Sequence, residues 1–280
     1  MTDVAQAFVP GHVTGFFIPC PDDNPTQAGS QGAGIALSDG VTVTVRPADE
    51  RELRLNGKSI EMEAVERVLT TLRSRAAVQA VTDLPLGSGF GVSGAMALGT
   101  AFAANAAFDR RLSANELVTI AHGAEVQAST GLGDVVAQAR GGLTLRLEPG
   151  DPLHNVLDGI PARERIEYYT LGELPTADVL GGETEPIEEA GRQALSTVVG
   201  DPTIDSFMQA SRRFSRESGL LTDDVRAVIQ DTAAVDGRAA MAMLGQTVFT
   251  VGTGLTDAGY DASVCQIHQA GATPETSLSV

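Results

Sequence analysis

The chain has 280 residues, 42% of them hydrophobic, and a formal net charge of −17 with a single lysine. This length suffices for one large domain or two smaller ones with their own cores. Because phosphate contacts need Lys and Arg, the charge argues against nucleic acid and anionic membranes as partners. The most apolar run, residues 92–108, is too short and too rich in small residues to span a bilayer. We therefore expect a cytoplasmic protein.

The acidic residues are spread along the chain rather than gathered into a tail. A binding face for a cationic partner would explain such a charge, and so would life in concentrated salt, where screening removes self-repulsion. The even distribution and the near absence of lysine favour salt adaptation. The two cysteines form no CxxC pair and predict neither a structural zinc site nor a disulfide framework.

Turn signals divide the first part of the chain into short extended segments. Pro10-Gly11 predicts a turn within residues 4–19, and residues 20–34 are typical of a loop. Asp39-Gly40 and Asn56-Gly57 each predict a β-hairpin. Apolar residues at helical spacing then predict a helix over 63–77, followed by a strand over 78–85.

A glycine-rich segment, LPLGSGFGVSGAMALG, begins at Leu84 and leads into a helix predicted to end near Phe108. Ser113 and Glu116 have the spacing of a capping box and predict a second helix to about residue 128. The turn GLGD precedes a third, short helix that Gly141-Gly142 ends. The sequence LTLRLEP then predicts a strand.

The character of the sequence changes after Pro149. Residues 151–165 are typical of a loop and 164–175 of a strand. Helices are predicted over 186–199, 203–218 and 222–233, whereas 241–255 and 262–269 fit either a strand or a helix. We place a boundary after residue 155, which gives two α+β domains, 1–155 and 156–280.

Two segments partly match known phosphate-binding motifs, but the surrounding sequence does not fit either motif. Gly57-Lys58-Ser59 ends like a Walker A loop, but Glu52 stands where that motif needs its first glycine. Residues 89–94 match GxGxxG, yet the helix that follows leads into a second helix instead of a strand. The parallel crossover of a dinucleotide-binding βαβ unit is therefore missing.

The glycine-rich segment still has the properties of an anion site. Glycines at a helix N-terminus expose backbone N–H groups, the helix dipole adds positive charge, and no Cβ blocks the approach of phosphate. Ser88 and Ser93 add hydroxyl groups, and such a hydroxyl can ligate Mg²⁺. From the residues alone, close packing of the helix start explains the glycines equally well.

Several motifs resemble those of the GHMP small-molecule kinases. PLGSGFGVSGA is similar to the second motif of that family, P-x-G-x-G-L-G-S-S-A, and AFVPGHVTGFF resembles the first, with His12 in place of a basic residue. Glu125 and GLGDVVAQARGG resemble the metal-binding glutamate and the S-G-x-D…GG segment. MLGQTVFTVGTGL matches the third motif poorly, and no residue is carried over there. The resemblance assigns ATP binding to Pro85, Leu86, Gly87, Ser88, Gly89, Phe90, Gly91, Val92, Ser93, Gly94 and Ala95.

The resemblance also implies roles around this loop, each with a simpler alternative. Ser93 and Glu125 would hold Mg²⁺, although most glutamates are only solvated surface residues. Asp134 would orient the substrate hydroxyl and take its proton, but it also suits the N-cap of the next helix.

Three further residues are candidates for binding the substrate: His12, Thr14 and Arg140. Arg140 would pair with a substrate carboxylate. A surface position explains Arg140 at least as well, and a hydrogen bond within its loop explains His12 about equally well.

The resemblance implies a two-lobed α+β fold. The N-terminal lobe would be mixed α/β and carry the phosphate loop at a helix N-terminus, and the C-terminal lobe would be helix-rich on an antiparallel sheet. ATP and substrate would meet between the lobes.

Within the family, PGHVTGFF together with the glycine loop resembles the archaeal pantoate kinases, which use ATP in coenzyme A biosynthesis. A small hydroxy acid is then the expected substrate. The resemblance is compatible with a homodimer. The alternatives are another kinase of the family, acting on mevalonate, homoserine or a sugar, and a non-catalytic nucleotide-binding member.

Overall fold

A computed structural model describes residues 4–172 and 184–275. Within this part of the chain, an eight-stranded mixed sheet carries the first helices, and a four-stranded antiparallel sheet carries later ones. The prediction of an α+β fold with a mixed sheet and a separate antiparallel sheet is confirmed. The last residues of the predicted strand 164–175 lie outside the described residues.

The strands of the larger sheet are β1 (Ala5–Cys20), β2 (Gly29–Pro47), β3 (Glu52–Leu55), β4 (Lys58–Ser59), β5 (Ala76–Val81), β6 (Leu143–Glu148), β7 (Val156–Ile160) and β12 (Thr273–Glu275). They lie in the order β12-β1-β2-β5-β3-β4, and β2 also pairs with β6, which pairs with β7. All of these pairs are antiparallel except β3 with β5.

Strands β1 and β2 form one long antiparallel ribbon instead of the predicted turn and hairpin. Pro10 faces Gly40 across the ribbon, and the register shifts between Pro10 and Gly11. A Cβ at Gly40 would lie 2.3 Å from the Val9 carbonyl oxygen. Pro10-Gly11 and Asp39-Gly40 therefore lie in a bulge, a place where a sheet accepts proline and glycine. The turn predictions at these two positions are wrong, and so is the loop over the last residues of 20–34, where β2 begins.

The Asn56-Gly57 turn is present as predicted. Both residues have positive φ, 49° and 78°, and they join β3 to β4. Lys58 therefore lies in an exposed hairpin and not in a phosphate loop.

The larger sheet takes strands from both sides of the predicted domain boundary. The segment 151–165, predicted as a loop, contains β7, which pairs with β6. Near the other end of the described residues, β12 pairs with β1. A boundary after residue 155 stays a prediction.

Helix α2 is buried on nearly all sides and lies on the β1–β2 ribbon. A Cβ at Gly99 would lie 2.6 Å from the Val43 side chain, so glycine permits this close approach. Close packing fixes the position of the N-terminus of α2, where the glycine-rich segment ends. The helices of this half are α1 (Glu63–Thr71), α2 (Val92–Ala107), α3 (Ala114–Gln127) and α4 (Asp134–Arg140).

The capping box of α3 is confirmed. The Ser113 side chain accepts from the Glu116 N–H, and the Glu116 carboxylate accepts from the Ser113 N–H at 2.8 Å. This cap fixes where α3 begins, and Glu125 follows more than two turns later on the same helix.

The second sheet has the order β11-β8-β10-β9. The ambiguous segment 241–255 is resolved as strand, with a short helix near its end, and 262–269 contains one strand. The strands are β8 (Arg165–Gly172), β9 (Arg238–Ala242), β10 (Gln246–Val251) and β11 (Ser263–Gln266). The helices, close to their predicted bounds, are α5 (Glu185–Gly200), α6 (Ile204–Glu217) and α7 (Asp223–Ala234), followed by the short α8 (Gly254–Asp257).

Helices α5 and α6 also contact β1, so the long ribbon touches both helical layers. In the part of the chain that the structure describes, no helix combines the length and apolarity needed to cross a bilayer.

Candidate active site

A pocket of about 370 Å³ lies at the N-terminus of α2. Its wall comes from four parts of the chain: strand β1, the glycine-rich segment, the α3–α4 region, and the turn between β9 and β10. The lining residues are Thr14, Leu86, Gly87, Gly89, Phe90, Gly91, Val92, Ser93, Gly94, Glu125, Ala128, Ser129, Thr130, Asp134, Met243 and Leu244.

The glycine-rich segment, residues 85–95, forms the floor of the pocket. Gly87, Gly89 and Gly91 have positive φ values of 76°, 89° and 61°. Gly91 is the N-cap of α2, so the next N–H groups have no partner within the helix. These free N–H groups and the helix dipole make this wall suited to phosphate oxygens. Of the predicted binding residues, Pro85, Ser88 and Ala95 do not line the pocket.

The Glu125 carboxylate lies beside this floor, together with two hydroxyl groups. The Ser93 hydroxyl donates to Glu125 Oε1 at 2.6 Å, and the Thr130 hydroxyl donates to the same oxygen at 2.9 Å. Burial raises the pKa of Glu125 to about 7, although both hydrogen bonds oppose this shift. In the part of the chain that the structure describes, Glu125 has no cationic partner. A buried carboxylate next to hydroxyl groups supplies the oxygen donors that a hard divalent cation takes.

Asp134 begins α4 and faces the same pocket. His12 Nδ1 lies 2.7 Å from Asp134 Oδ1, and Thr14 is close to both side chains. Burial alone would raise the pKa of Asp134, but the hydrogen bonds from His12 and Thr14 and the charge of Arg146 hold it below its ordinary value. The carboxylate is therefore ionised at neutral pH and available as a proton acceptor.

His12 is fully buried and does not line the pocket. Burial lowers its pKa more than the contact with Asp134 raises it, so the ring is neutral at pH 7. In this neutral ring the Nδ1–H donates the hydrogen bond that Asp134 Oδ1 accepts. His12, predicted to bind the substrate, does not reach the pocket and lies behind the Asp134 carboxylate. Thr14 lines the pocket, and its binding of substrate stays a prediction.

The structure does not bring Arg140 to the pocket. Arg140 is exposed at the end of α4, and its guanidinium packs against Gly159 of β7. The buried arginine near Asp134 is Arg146, which comes from β6 and is 2% exposed. Its Nε donates to the Ser30 carbonyl at 3.3 Å, while Nη1 is buried without a hydrogen-bond partner among the described residues.

The sequence analysis did not single out Arg146. An available signal was an arginine inside the apolar strand LTLRLE, since a buried charge needs a partner.

The turn between β9 and β10 lies in MLGQTVFTVGTGL, the segment that matches the third motif poorly and from which no site residue was predicted. The Met243 N–H donates to the Thr14 carbonyl at 2.9 Å, and a Cβ at Gly245 would lie 2.1 Å from the Ser88 carbonyl oxygen. The Thr247 hydroxyl donates to that same oxygen at 2.8 Å. This turn therefore closes the pocket over the glycine loop. Its sequence MLGQT has one glycine between two strands, which is too little to identify it.

Comparisons with known proteins agree with this geometry. The family described as "GHMP kinases N terminal domain" matches residues 59–142. A structure described as "Phosphotransferase related to CoA biosynthesis pathway" superposes with a TM-score of 0.88 at 29% identity, covering 99% of this chain and all of the other. A homoserine kinase from Cytophaga hutchinsonii has the same fold, with a TM-score of 0.66 at 17% identity over 98% of each chain. The fold and site thus define a small-molecule kinase of the GHMP type.

Two curated relatives narrow the assignment. The pantoate kinase of Methanospirillum hungatei is 33% identical over 88% of this chain and 86% of its own length. The pantoate kinase of Thermococcus kodakarensis is 34% identical over 88% of this chain and 87% of its own. The chain belongs to the GHMP kinases and, within them, to the pantoate kinase family.

Proposed function

We propose that this chain transfers the terminal phosphoryl group of ATP to the 4-hydroxyl of pantoate, giving 4-phosphopantoate and ADP. The substrate follows from the pantoate kinase relatives. The kinase chemistry rests on one observation: the Asp134 side chain lines the same pocket as the start of α2, whose first N–H groups have no partner within the helix. Phosphoryl transfer needs such positioning and charge stabilisation more than covalent catalysis.

Different residues of the pocket would carry out different parts of the reaction. The N–H groups of the loop hold phosphate oxygens, and Asp134 accepts the proton of the hydroxyl while the bond from that oxygen to phosphorus forms and ADP leaves. Ser93 and Glu125 are placed to hold Mg²⁺, which when bound neutralises phosphate charge. Because Ser93 and Glu125 do not fill the coordination sphere of Mg²⁺, phosphate oxygens and water would complete it. Within the described ranges 4–172 and 184–275, no group of three or more His, Cys, Asp and Glu side chains is close enough to hold a metal.

Arg146 is the residue we assign to the carboxylate of pantoate. It is buried close to Asp134, and its Nη1 has no hydrogen-bond partner among the described residues. A guanidinium matches a carboxylate in geometry and charge, and a fixed anchor beside the base would bring the substrate hydroxyl to it.

A substrate panel tests the proposed function. ADP release is measured with ATP and Mg²⁺ over pantoate, pantothenate, mevalonate and homoserine, in high salt. Turnover with pantoate at a kcat/KM at least about a hundredfold above the others is expected. Preference for another hydroxy compound would contradict the assignment of substrate. Nucleotide binding without turnover on any compound would support the non-catalytic alternative.

Replacing His12 tests its role behind Asp134. His12→Leu removes the hydrogen bond that lowers the pKa of Asp134, so that pKa should rise. Because the protonated carboxyl cannot accept a proton, the acid limb of kcat/KM should move to higher pH, and activity should recover as pH rises. His12→Asn places an amide N–H near the former Nδ1 and should keep most of the wild-type profile. Identical pH profiles for the two variants would show that His12 does not act through Asp134.

We infer that the acidic surface is an adaptation to salt. At a net charge of −17, self-repulsion destabilises the folded chain at low ionic strength, and screening relieves it. Raising KCl from about 0.1 M to about 2 M should increase the melting temperature by at least about 5 °C. A variant carrying Glu50→Gln, Glu61→Gln and Asp83→Asn, all exposed, should show a smaller increase. A melting temperature independent of KCl would exclude this inference.

A further inference from the structure

Gln138 makes an unusual buried contact with the glycine loop. It lies on α4 and is fully buried. Its Nε2 donates to the Gly91 carbonyl at 2.9 Å, whereas its Oε1 is buried and has no hydrogen-bond partner among the described residues. An unsatisfied buried acceptor costs stability, and an apolar side chain of the same size would avoid this cost. Stability alone therefore does not explain an amide here.

The contact holds the peptide group between Gly91 and Val92, at the start of α2. Gly91 is the left-handed N-cap of α2, and its carbonyl also accepts from the Ala95 N–H at 2.9 Å. In a trans peptide the C=O and the following N–H point in opposite directions. By holding the Gly91 carbonyl, Gln138 therefore fixes the direction of the Val92 N–H, one of the free donors of the pocket floor.

Glycine at position 91 makes this contact possible. A Cβ there would lie 3.0 Å from Gln138 Nε2 and 3.2 Å from the Asp134 side chain. The turn thus contacts two side chains of α4 directly. These two residues are four apart and project from the same face of the helix.

We propose that Gln138 is a positioning residue that ties the phosphate loop to α4, the helix that carries Asp134. One short helix then sets both the proton acceptor and the direction of the loop N–H that meets the nucleotide. Loss of the amide would leave the Gly91 carbonyl held by the Ala95 N–H alone. The Gly91 peptide would then be less firmly oriented, and the distance between phosphate and base would vary more. The proposal rests on the proposed kinase function for its kinetic part, but nucleotide binding tests it separately.

The test compares wild type with Gln138→Met, which keeps the volume and removes the donor. Binding of the Mg²⁺ complex of the β,γ-methylene analogue of ATP is measured by calorimetry, and kcat and KM are measured with pantoate. The dissociation constant for the analogue should rise about fivefold, which is the effect of one hydrogen bond. The kcat should fall about tenfold through misplacement, while KM for pantoate stays within about twofold.

Two further variants keep the result decisive. Gln138→Leu also removes the donor to the Gly91 carbonyl, so it should lose at least as much nucleotide affinity, and it replaces the methionine variant if that one does not fold. Thr232→Val removes a buried hydroxyl bond to the Val228 carbonyl in α7, away from the pocket, and should change the melting temperature only. Native nucleotide affinity and kcat in folded Gln138→Met, whatever its melting temperature, would overturn the proposal. Failure of wild type to phosphorylate pantoate would refute the substrate and leave the binding test intact.

Discussion

Asp134→Asn is expected to lower kcat for pantoate phosphorylation by a factor of about 10² to 10⁴, the range that a positioned general base contributes. The amide keeps the size of the side chain and can still contact His12, but it cannot take the proton of the hydroxyl. Nucleotide affinity should stay within about twofold of wild type, because the loop N–H groups and the Ser93–Glu125 pair are unchanged. Single-turnover measurements with calorimetry of nucleotide binding separate the two effects.

Asp151 provides the matched control for this substitution. It is also a buried aspartate that contacts a histidine, with His154 Nδ1 2.6 Å from its Oδ1, and Thr119 donates to its other oxygen. It does not line the pocket. Asp151→Asn should therefore lower the melting temperature with kcat unchanged. A fall of less than about tenfold in Asp134→Asn would remove Asp134 as the base.

Local sequence was sufficient where one short segment determines the structure. The capping box of α3, the Asn56-Gly57 turn and the glycine-rich start of α2 each depend on residues within a few positions of one another, and all three were predicted. Pro10-Gly11 and Asp39-Gly40 have the same local character. They face each other across the β1–β2 ribbon, and this pairing turns two apparent turns into one bulge.

The candidate site could be predicted only in part for a related reason. The resemblance located the loop, Glu125 and Asp134 because they lie in motifs. The role of His12 depends on a contact with a residue 122 positions away. Proximity in sequence favoured Arg140 over Arg146, but strand β6 carries Arg146 back beside Asp134 while Arg140 ends α4 on the surface. Such contacts follow from topology and not from spacing.

Arg146→Met should raise KM for pantoate by about a hundredfold, since the substrate carboxylate would enter a buried site without a cation. The kcat at saturating pantoate should fall less, because Asp134 keeps its hydrogen bond from His12. The affinity for nucleotide should not change, since Arg146 does not line the phosphate pocket. Steady-state kinetics with pantoate and ATP varied in turn distinguish these three quantities.

Arg146→Lys sharpens the test. Lysine keeps the charge that lowers the pKa of Asp134 but lacks the planar fork of a guanidinium. It should recover the pH profile of wild type while KM stays raised by about tenfold. Arg165→Met is the control, because Arg165 pairs with buried Glu167 in the second sheet, outside the pocket.

The opposite pattern would assign Arg146 a different role. If Arg146→Met unfolds at lower temperature but keeps the wild-type KM, the guanidinium only supports the backbone near Ser30 and Gly133, which it contacts. If kcat falls and the acid limb moves upward while KM is unchanged, Arg146 acts through the charge on Asp134. Only a selective loss of pantoate affinity identifies the Arg146 guanidinium as the group that binds the substrate carboxylate.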